Sequence, residues 1–217
     1  NWDTKLIYSG DENKYPTIIN DMDFRYISVG DIDNDGDLDI VSGSNTHNSS
    51  ATELGHINLY ENDGASDPTW TKTTIDSYIP GYFVELADID SDGDLDIVSA
   101  SKNPYGTTTY IDWYENDGAA TWTPAFTAAD INISANVARD LHIADMDRDG
   151  DLDIVSASSG DNTIAWYEND GAANPSWTAS DISYTALGPR GIFLADIDSD
   201  GDLDIVSASS GDNTIAW

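Results

Sequence analysis

The sequence predicts an all-β protein, a β-propeller of four four-stranded blades of about 50–57 residues each, on three observations. The nine-residue pattern D-x-D-x-D-G-D-L-D occurs at Asp31–Asp39, Asp88–Asp96, Asp145–Asp153 and Asp196–Asp204, with spacings of 57, 57 and 51 residues, and each copy runs into I-V-S. Four short β-like segments keep the same phase in each repeat. No stretch carries a helical period.

The segments follow in order. A first one opens at Trp2, Trp70, Trp122 or Trp177. A second (Y-I-S-V-G, F-V-E-L-A, L-H-I-A, I-F-L-A) alternates so that Ile27/Val29, Val84/Leu86, Leu141/Ile143 and Ile192/Leu194 share a face. The acidic pattern comes next, then a third strand, L-D-I-V-S. The fourth reads I-N-L-Y-E-N, I-D-W-Y-E-N or I-A-W-Y-E-N and is closed by the turn residues N-D-G. One such sheet cannot cover both its apolar faces, so successive blades must pack on each other. The expected organisation is a single array over 1–217, with repeats 1–68, 69–120, 121–175 and 176–217, standing alone or as part of a larger ring or longer protein. The chain opens on a Trp strand and stops in an I-A-W segment. The first strand is thus placed either to complete the last blade or to pair with another molecule.

The acidic pattern has the chemistry of a calcium loop. Ca²⁺ takes about 6–8 oxygen ligands, so a short loop must turn several oxygens onto one point. Positions 1, 3, 5 and 9 supply carboxylates: Asp31, Asp33, Asp35, Asp39; Asp88, Asp90, Asp92, Asp96; Asp145, Asp147, Asp149, Asp153; and Asp196, Asp198, Asp200, Asp204. Position 7 (Asp37, Asp94, Asp151, Asp202) is expected to ligate through its backbone oxygen, after a sharp turn at the position-6 glycine. The expected load is about four Ca²⁺, one per repeat. An EF-hand begins the same way but needs a bidentate Glu at position 12 between two helices. Here position 12 is Ser42, Ser99, Ser156 or Ser207, inside a strand-like run. A merely solvated acidic face has no reason to place glycine at position 6 four times.

The net charge is −33, from 41 acidic and 8 basic residues; four Ca²⁺ would bring it to −33 + 8 = −25. Nucleic acid and anionic membranes are therefore excluded as partners, and no apolar run reaches the ~20 residues of a membrane span. With no cysteine, a metal takes the stapling role of disulfides. A calcium-rich exterior, extracellular or at the cell surface, suits such a chain. Hydrophobic residues make up 39 % of it, with 7 Trp and 11 Tyr, enough for a packed core. Trp113, Trp166 and Trp217 hold one repeat position and are expected between blades.

The D-x-D-x-D-G-D-x-D loop between the first two strands of a repeating blade resembles the FG-GAP or VCBS-type repeats of integrin α-subunit propellers and many secreted bacterial proteins. The resemblance covers essentially the whole chain, although phenylalanine-glycine and glycine-alanine-proline signatures are absent. It implies calcium loops on one face of the ring, partners on the other, and usually seven blades.

On the face opposite the loops, Arg25, Arg139 and Arg190 each stand six residues before their first loop aspartate, with Tyr82 in that place in the second repeat. Two readings stay open: a ring recognising carboxylate or sulfate groups, or arginines that pair with neighbouring aspartates and brace the blade. Tyr15, Tyr78, Tyr105 and Tyr184 are either sugar-stacking or ordinary loop residues. There is no H-E-x-x-H and no G-x-S-x-G, so catalysis is not expected; the remaining acid/base candidates are His142 and, at the equivalent place, Glu85. The expectation is an extracellular, calcium-stabilised, non-catalytic module that binds a glycan or protein. The alternatives are a subunit that assembles with copies of itself and, more weakly, the propeller of a polysaccharide-degrading enzyme.

Overall fold

A computed structural model describes residues 22–46, 55–77, 81–102, 109–118, 128–132 and 135–217. Its strands are β1 (Met22–Gly30), β2 (Asp39–Thr46), β3 (Gly55–Asn62), β4 (Trp70–Asp76), β5 (Gly81–Ala87), β6 (Asp96–Lys102), β7 (Thr109–Tyr114), β8 (Ala128–Asn132), β9 (Ala138–Ala144), β10 (Asp153–Ser158), β11 (Thr163–Asn169), β12 (Trp177–Ser183), β13 (Pro189–Ala195), β14 (Asp204–Ser209) and β15 (Thr214–Ala216). They form four antiparallel sheets in chain order, β1–β4, β5–β8, β9–β12 and β13–β15, with no helix among the described residues. This is a β-propeller-like repeat array.

Each acidic loop reverses the chain between the first two strands of its sheet. Gly30 pairs with Asp39, Ala87 with Asp96, Ala144 with Asp153 and Ala195 with Asp204. The N-D-G turns sit at the same end, with Asn62 opposite Trp70 and Asn169 opposite Trp177. Their glycines have φ of 67°, 63° and 67° (Gly64, Gly118, Gly171), a region where a Cβ is unfavourable. Because these turns reverse the chain, the strands that open at Trp70 and Trp177 fold back on the strand before them. The sheets therefore run 22–76, 81–132, 138–183 and 189–216, whereas the repeat bounds 1–68, 69–120, 121–175 and 176–217 cut ahead of each Trp strand. The segments at Trp2 and Trp122 lie outside the described residues.

The core fills the gaps between successive sheets. Val41, Ile57 and Leu59 meet Val84, Ile97 and Tyr114 between the first and second. Val98, Ile111 and Trp113 meet Leu141, Ile154 and Tyr167 between the second and third. Val155, Ala157 and Ile164 meet Ile192 between the third and fourth, with Trp166 packed alongside. Side-chain alternation thus gives each strand one face toward the preceding sheet and one toward the next. Trp217, expected between blades, is 69 % accessible instead, and the face shared by Ile27 and Val29 is open, at 63 % and 51 %. Among the described residues no sheet precedes the first or follows the last.

Candidate metal centres

Within each loop the backbone is bent by side chains that accept from it. The position-1 carboxylate takes the position-6 amide (Gly36 N to Asp31 Oδ2, 3.0 Å, with 3.1, 3.2 and 3.0 Å in the other loops). The position-5 carboxylate takes the position-7 amide at 2.9, 3.0, 3.0 and 2.8 Å. Such Asx turns favour this conformation over strand or helix. Gly36, Gly93, Gly150 and Gly201 have φ of 98°, 101°, 104° and 96°. At the first three, nothing lies within 4 Å of where a Cβ would stand. Backbone conformation, not crowding, requires glycine there. Position 4 is also left-handed, at Asn34, Ser91, Arg148 and Ser199, which the varied residue types did not announce.

Four carboxylate groups result, each with its oxygens within 4.8 Å of one another: Asp31, Asp33 and Asp39; Asp88, Asp90 and Asp92; Asp145, Asp147 and Asp149; Asp196, Asp198 and Asp204. Positions 1 and 3 converge every time, joined by position 5 in the second and third loops and by position 9 in the first and fourth. Asp35, Asp96, Asp153 and Asp200 stand in the same loops without entering those sets. The position-7 side chains turn away: those of Asp37, Asp94 and Asp151 lie where a Cβ on Gly64, Gly118 or Gly171 would clash. That leaves their backbone oxygens as the ligating atoms on offer.

The residues fit a cation. Asp31 Oδ1, Asp90 Oδ1 and Asp145 Oδ1 are buried with no hydrogen-bond partner, an expensive state that a bound cation relieves. Burial, then the neighbouring carboxylates, raises the Asp90 carboxyl above its ordinary range. Asp33 is raised by burial against the pull of the Asp35 amide. Glu61 and Glu115, from the Y-E-N segments, are raised by burial and by the adjacent loop aspartates. Oxygen-only ligands in this number suit a hard divalent ion.

Position 9 does structural work as well. Asp39 is 1 % accessible, Asp96 0 % and Asp153 1 %, and each accepts two amides: Ile32 and Asn62, Ile89 and Asn116, Met146 and Asn169. Burial pushes the Asp96 carboxyl up to about 7 and also raises Asp39 and Asp153. The asparagines of Y-E-N-D-G, read from sequence only as turn residues, are thus part of the loop's support; their recurrence at a fixed offset from the loop was the available signal.

At the other end of the strands, the register of Arg25, Tyr82, Arg139 and Arg190 is a β-bulge in all four sheets. The pairing shifts between Phe24 and Tyr26, between Gly81 and Phe83, across Ala138 to Asp140, and between Pro189 and Gly191. A bulge re-aims the side chain it carries. The side chains of Arg25 and Tyr82 lie outside the described residues. Arg139 Nε donates to Ser159 Oγ at 3.1 Å and Arg190 Nε to Ser210 Oγ at 2.8 Å. Both serines belong to S-G-D-N turns and donate in turn to Val137 O and Gly188 O. At both positions the guanidinium Nε is thus held by a serine hydroxyl. Tyr184 is 70 % accessible; Tyr15, Tyr78 and Tyr105 lie outside the described residues.

Along the inner strands, His142 stands edge-on between Phe83 and Phe193, at 6.3 and 5.9 Å between ring centres. Burial, then the nearby Asp140 charge, pushes Glu85 up to about 7. Asp140 Oδ2 accepts the Ile192 amide at 2.9 Å.

These features define a class: a β-propeller-like repeat protein with a metal-compatible acidic loop at the same end of every sheet. The family model described as FG-GAP-like repeat matches three times, at residues 31–99, 88–156 and 145–207, each match running from the first aspartate of one loop to the position-12 serine of the next. The chain belongs to that family. A search of curated protein sequences returned no match.

Proposed function

We propose that the protein is an extracellular, calcium-loaded, non-catalytic binding module whose loop end is structural and whose bulge end meets a glycan or protein partner. The observation that carries this reading is the segregation of chemistry along the strands. The carboxylate groups with orphaned buried oxygens stand at one end, and the anchored Arg139 and Arg190 at the other. Fixing Nε on a serine leaves the terminal nitrogens of Arg190 to present a planar fork to an oxyanion. The net charge of −33 repels polyanions at long range, which favours a sparsely charged partner such as a uronic-acid-bearing oligosaccharide or an acidic protein loop. The test is binding of the calcium-loaded protein to uronic-acid oligosaccharides and their neutral counterparts. Arg190→Ala should weaken acid-selective binding roughly tenfold, since a charge-assisted bond contributes about 1.5–3 kcal/mol. Equal binding of acidic and neutral sugars, or no effect of the substitution, overturns the reading.

One observation supports the alternative of assembly between copies. Ile27 and Val29 of the first sheet, and Ile215 and Trp217 of the last, are exposed, while their repeat equivalents Leu141, Ile192 and Ile164 are buried between sheets. Molar mass by light scattering, in calcium and in chelator, decides it: growth in calcium supports assembly, and a constant monomer removes it.

A further inference from the structure

We infer that the first three acidic loops are energetically coupled in series, through Asn116 and Asn169, so that loading one loop with a cation raises the affinity of the next. This rests on the cation reading above.

Asn116, 6 % accessible, touches two loops at once. Its backbone amide donates to Asp96 Oδ1 of the second loop at 2.7 Å, and its side-chain Nδ2 donates to Ile32 O of the first at 2.8 Å. The same Nδ2 reaches Leu95 O at 3.2 Å, and Oδ1 accepts from Gly118 N at 3.1 Å. Ile32 is held on its other side by Asp39, which accepts its backbone N–H at 3.1 Å.

The next repeat copies the arrangement. Asn169, 1 % accessible, donates through its amide to Asp153 Oδ1 at 2.9 Å and through Nδ2 to Ile89 O at 3.1 Å, while Ile89 N donates to Asp96 Oδ2 at 3.1 Å. One continuous path of residues results: Asp39, Ile32, Asn116, Asp96, Ile89, Asn169, Asp153. Every link is buried or packed beneath a loop, and every carboxylate on it is the position-9 group of a loop.

One physical effect makes such a path transmit. Fixing the Asp39 carboxylate and the Ile32 backbone spends, in advance, ordering that the Asp96 side would otherwise require, which is positive cooperativity without a large conformational change. By linkage the effect is reciprocal. The fourth loop is off this path. It meets the third through the exposed Arg148–Asp202 ion pair, 2.8 Å, which is weak and screened.

The experiment follows the amide resonances of Gly36, Gly93, Gly150 and Gly201 during a Ca²⁺ titration, one reporter per loop. Loop one is silenced with Asp33→Asn and Asp35→Asn, both at exposed positions. The coupling predicts that silencing loop one raises the calcium midpoint at Gly93 about fivefold or more and leaves Gly201 unmoved. In an Asn116→Ala background the Gly93 midpoint should no longer respond to loop one. If that variant does not fold, the silenced wild-type arm still decides. A Gly93 midpoint indifferent to loop one overturns the inference, as does an unchanged response in Asn116→Ala. If no glycine resonance moves with calcium, the cation reading itself fails and takes the coupling with it.

Discussion

The second and fourth acidic loops have the same nine-residue sequence and opposite surroundings. In the second, Asp96 is fully buried and holds two amides, one from its own loop and one from Asn116 in the turn after β7. In the fourth, Asp204 is half-buried and holds the Ile197 amide. Ile89, at position 2, is 2 % accessible and Ile197 is 48 %. The motif dictates the local fold of the loop, but what lies beyond it decides how rigidly the ligands are held. A sheet on either side and an asparagine beneath turn the same nine residues into a buried frame.

The largest expected effect is that of metal removal. Each occupied loop contributes roughly 2.7 kcal/mol at a hundredfold excess of calcium over Kd, so chelator should lower the melting temperature by many degrees. Calorimetry with Mg²⁺ as a charge control checks this, and an unchanged curve in chelator removes the metal assignment. The comparison adds that hydrogen exchange in chelator should open β14 before β6.

Next in size, Asp96→Ala strands two buried amides and should cost about 2–6 kcal/mol by urea denaturation, at ~1–3 kcal/mol per unsatisfied group. Asp204→Ala should cost about 1 kcal/mol. Equal costs would mean that surroundings do not matter.

The pH response comes third. Asp96 and Glu85 both sit at about 7 in the folded protein, above their ordinary 3.8 and 4.5. Between those values the native state binds more protons than the unfolded one, so metal-free stability should fall as pH rises from about 4 to 7. Calcium, which requires the ionised Asp96 loop, should reverse that slope. Denaturation series at pH 4.5, 6 and 7.5 in chelator and in calcium read both signs.

The smallest effect belongs to the exposed ion pair between the third and fourth loops: Arg148→Ala should cost about 0.2–1 kcal/mol and lose that difference in high salt.

Much of this was legible in the residues. Carboxylates at positions 1, 3, 5 and 9 with glycine at 6 specify the loop, and L-D-I-V-S specifies the strand behind it. The phase of the sheets was not legible, because a Trp strand has the same pattern whether it opens one sheet or closes another. The reversal at N-D-G settled that, through Asn62–Trp70 pairing. Asn116 and Asn169 escaped because their role depends on a loop more than 80 residues away for one and 80 for the other. The bulge at Arg139 and Arg190 escaped although it breaks the alternation, with buried Ala138 and Leu141, and Pro189 and Ile192, three residues apart.

The amide of each position-6 glycine is held by the position-1 carboxylate, and that has a bearing on chemical ageing. Among aspartyl dipeptides Asp-Gly is the most prone to succinimide closure, in which the glycine nitrogen attacks the preceding side-chain carboxyl and leaves isoaspartate behind. Four such bonds, at Asp35, Asp92, Asp149 and Asp200, lie in the loops. In each the attacking nitrogen is engaged elsewhere, and the carboxyl it would attack is turned toward the position-7 amide. The fold thus shelters its own most labile peptide bonds for as long as the loops keep their shape.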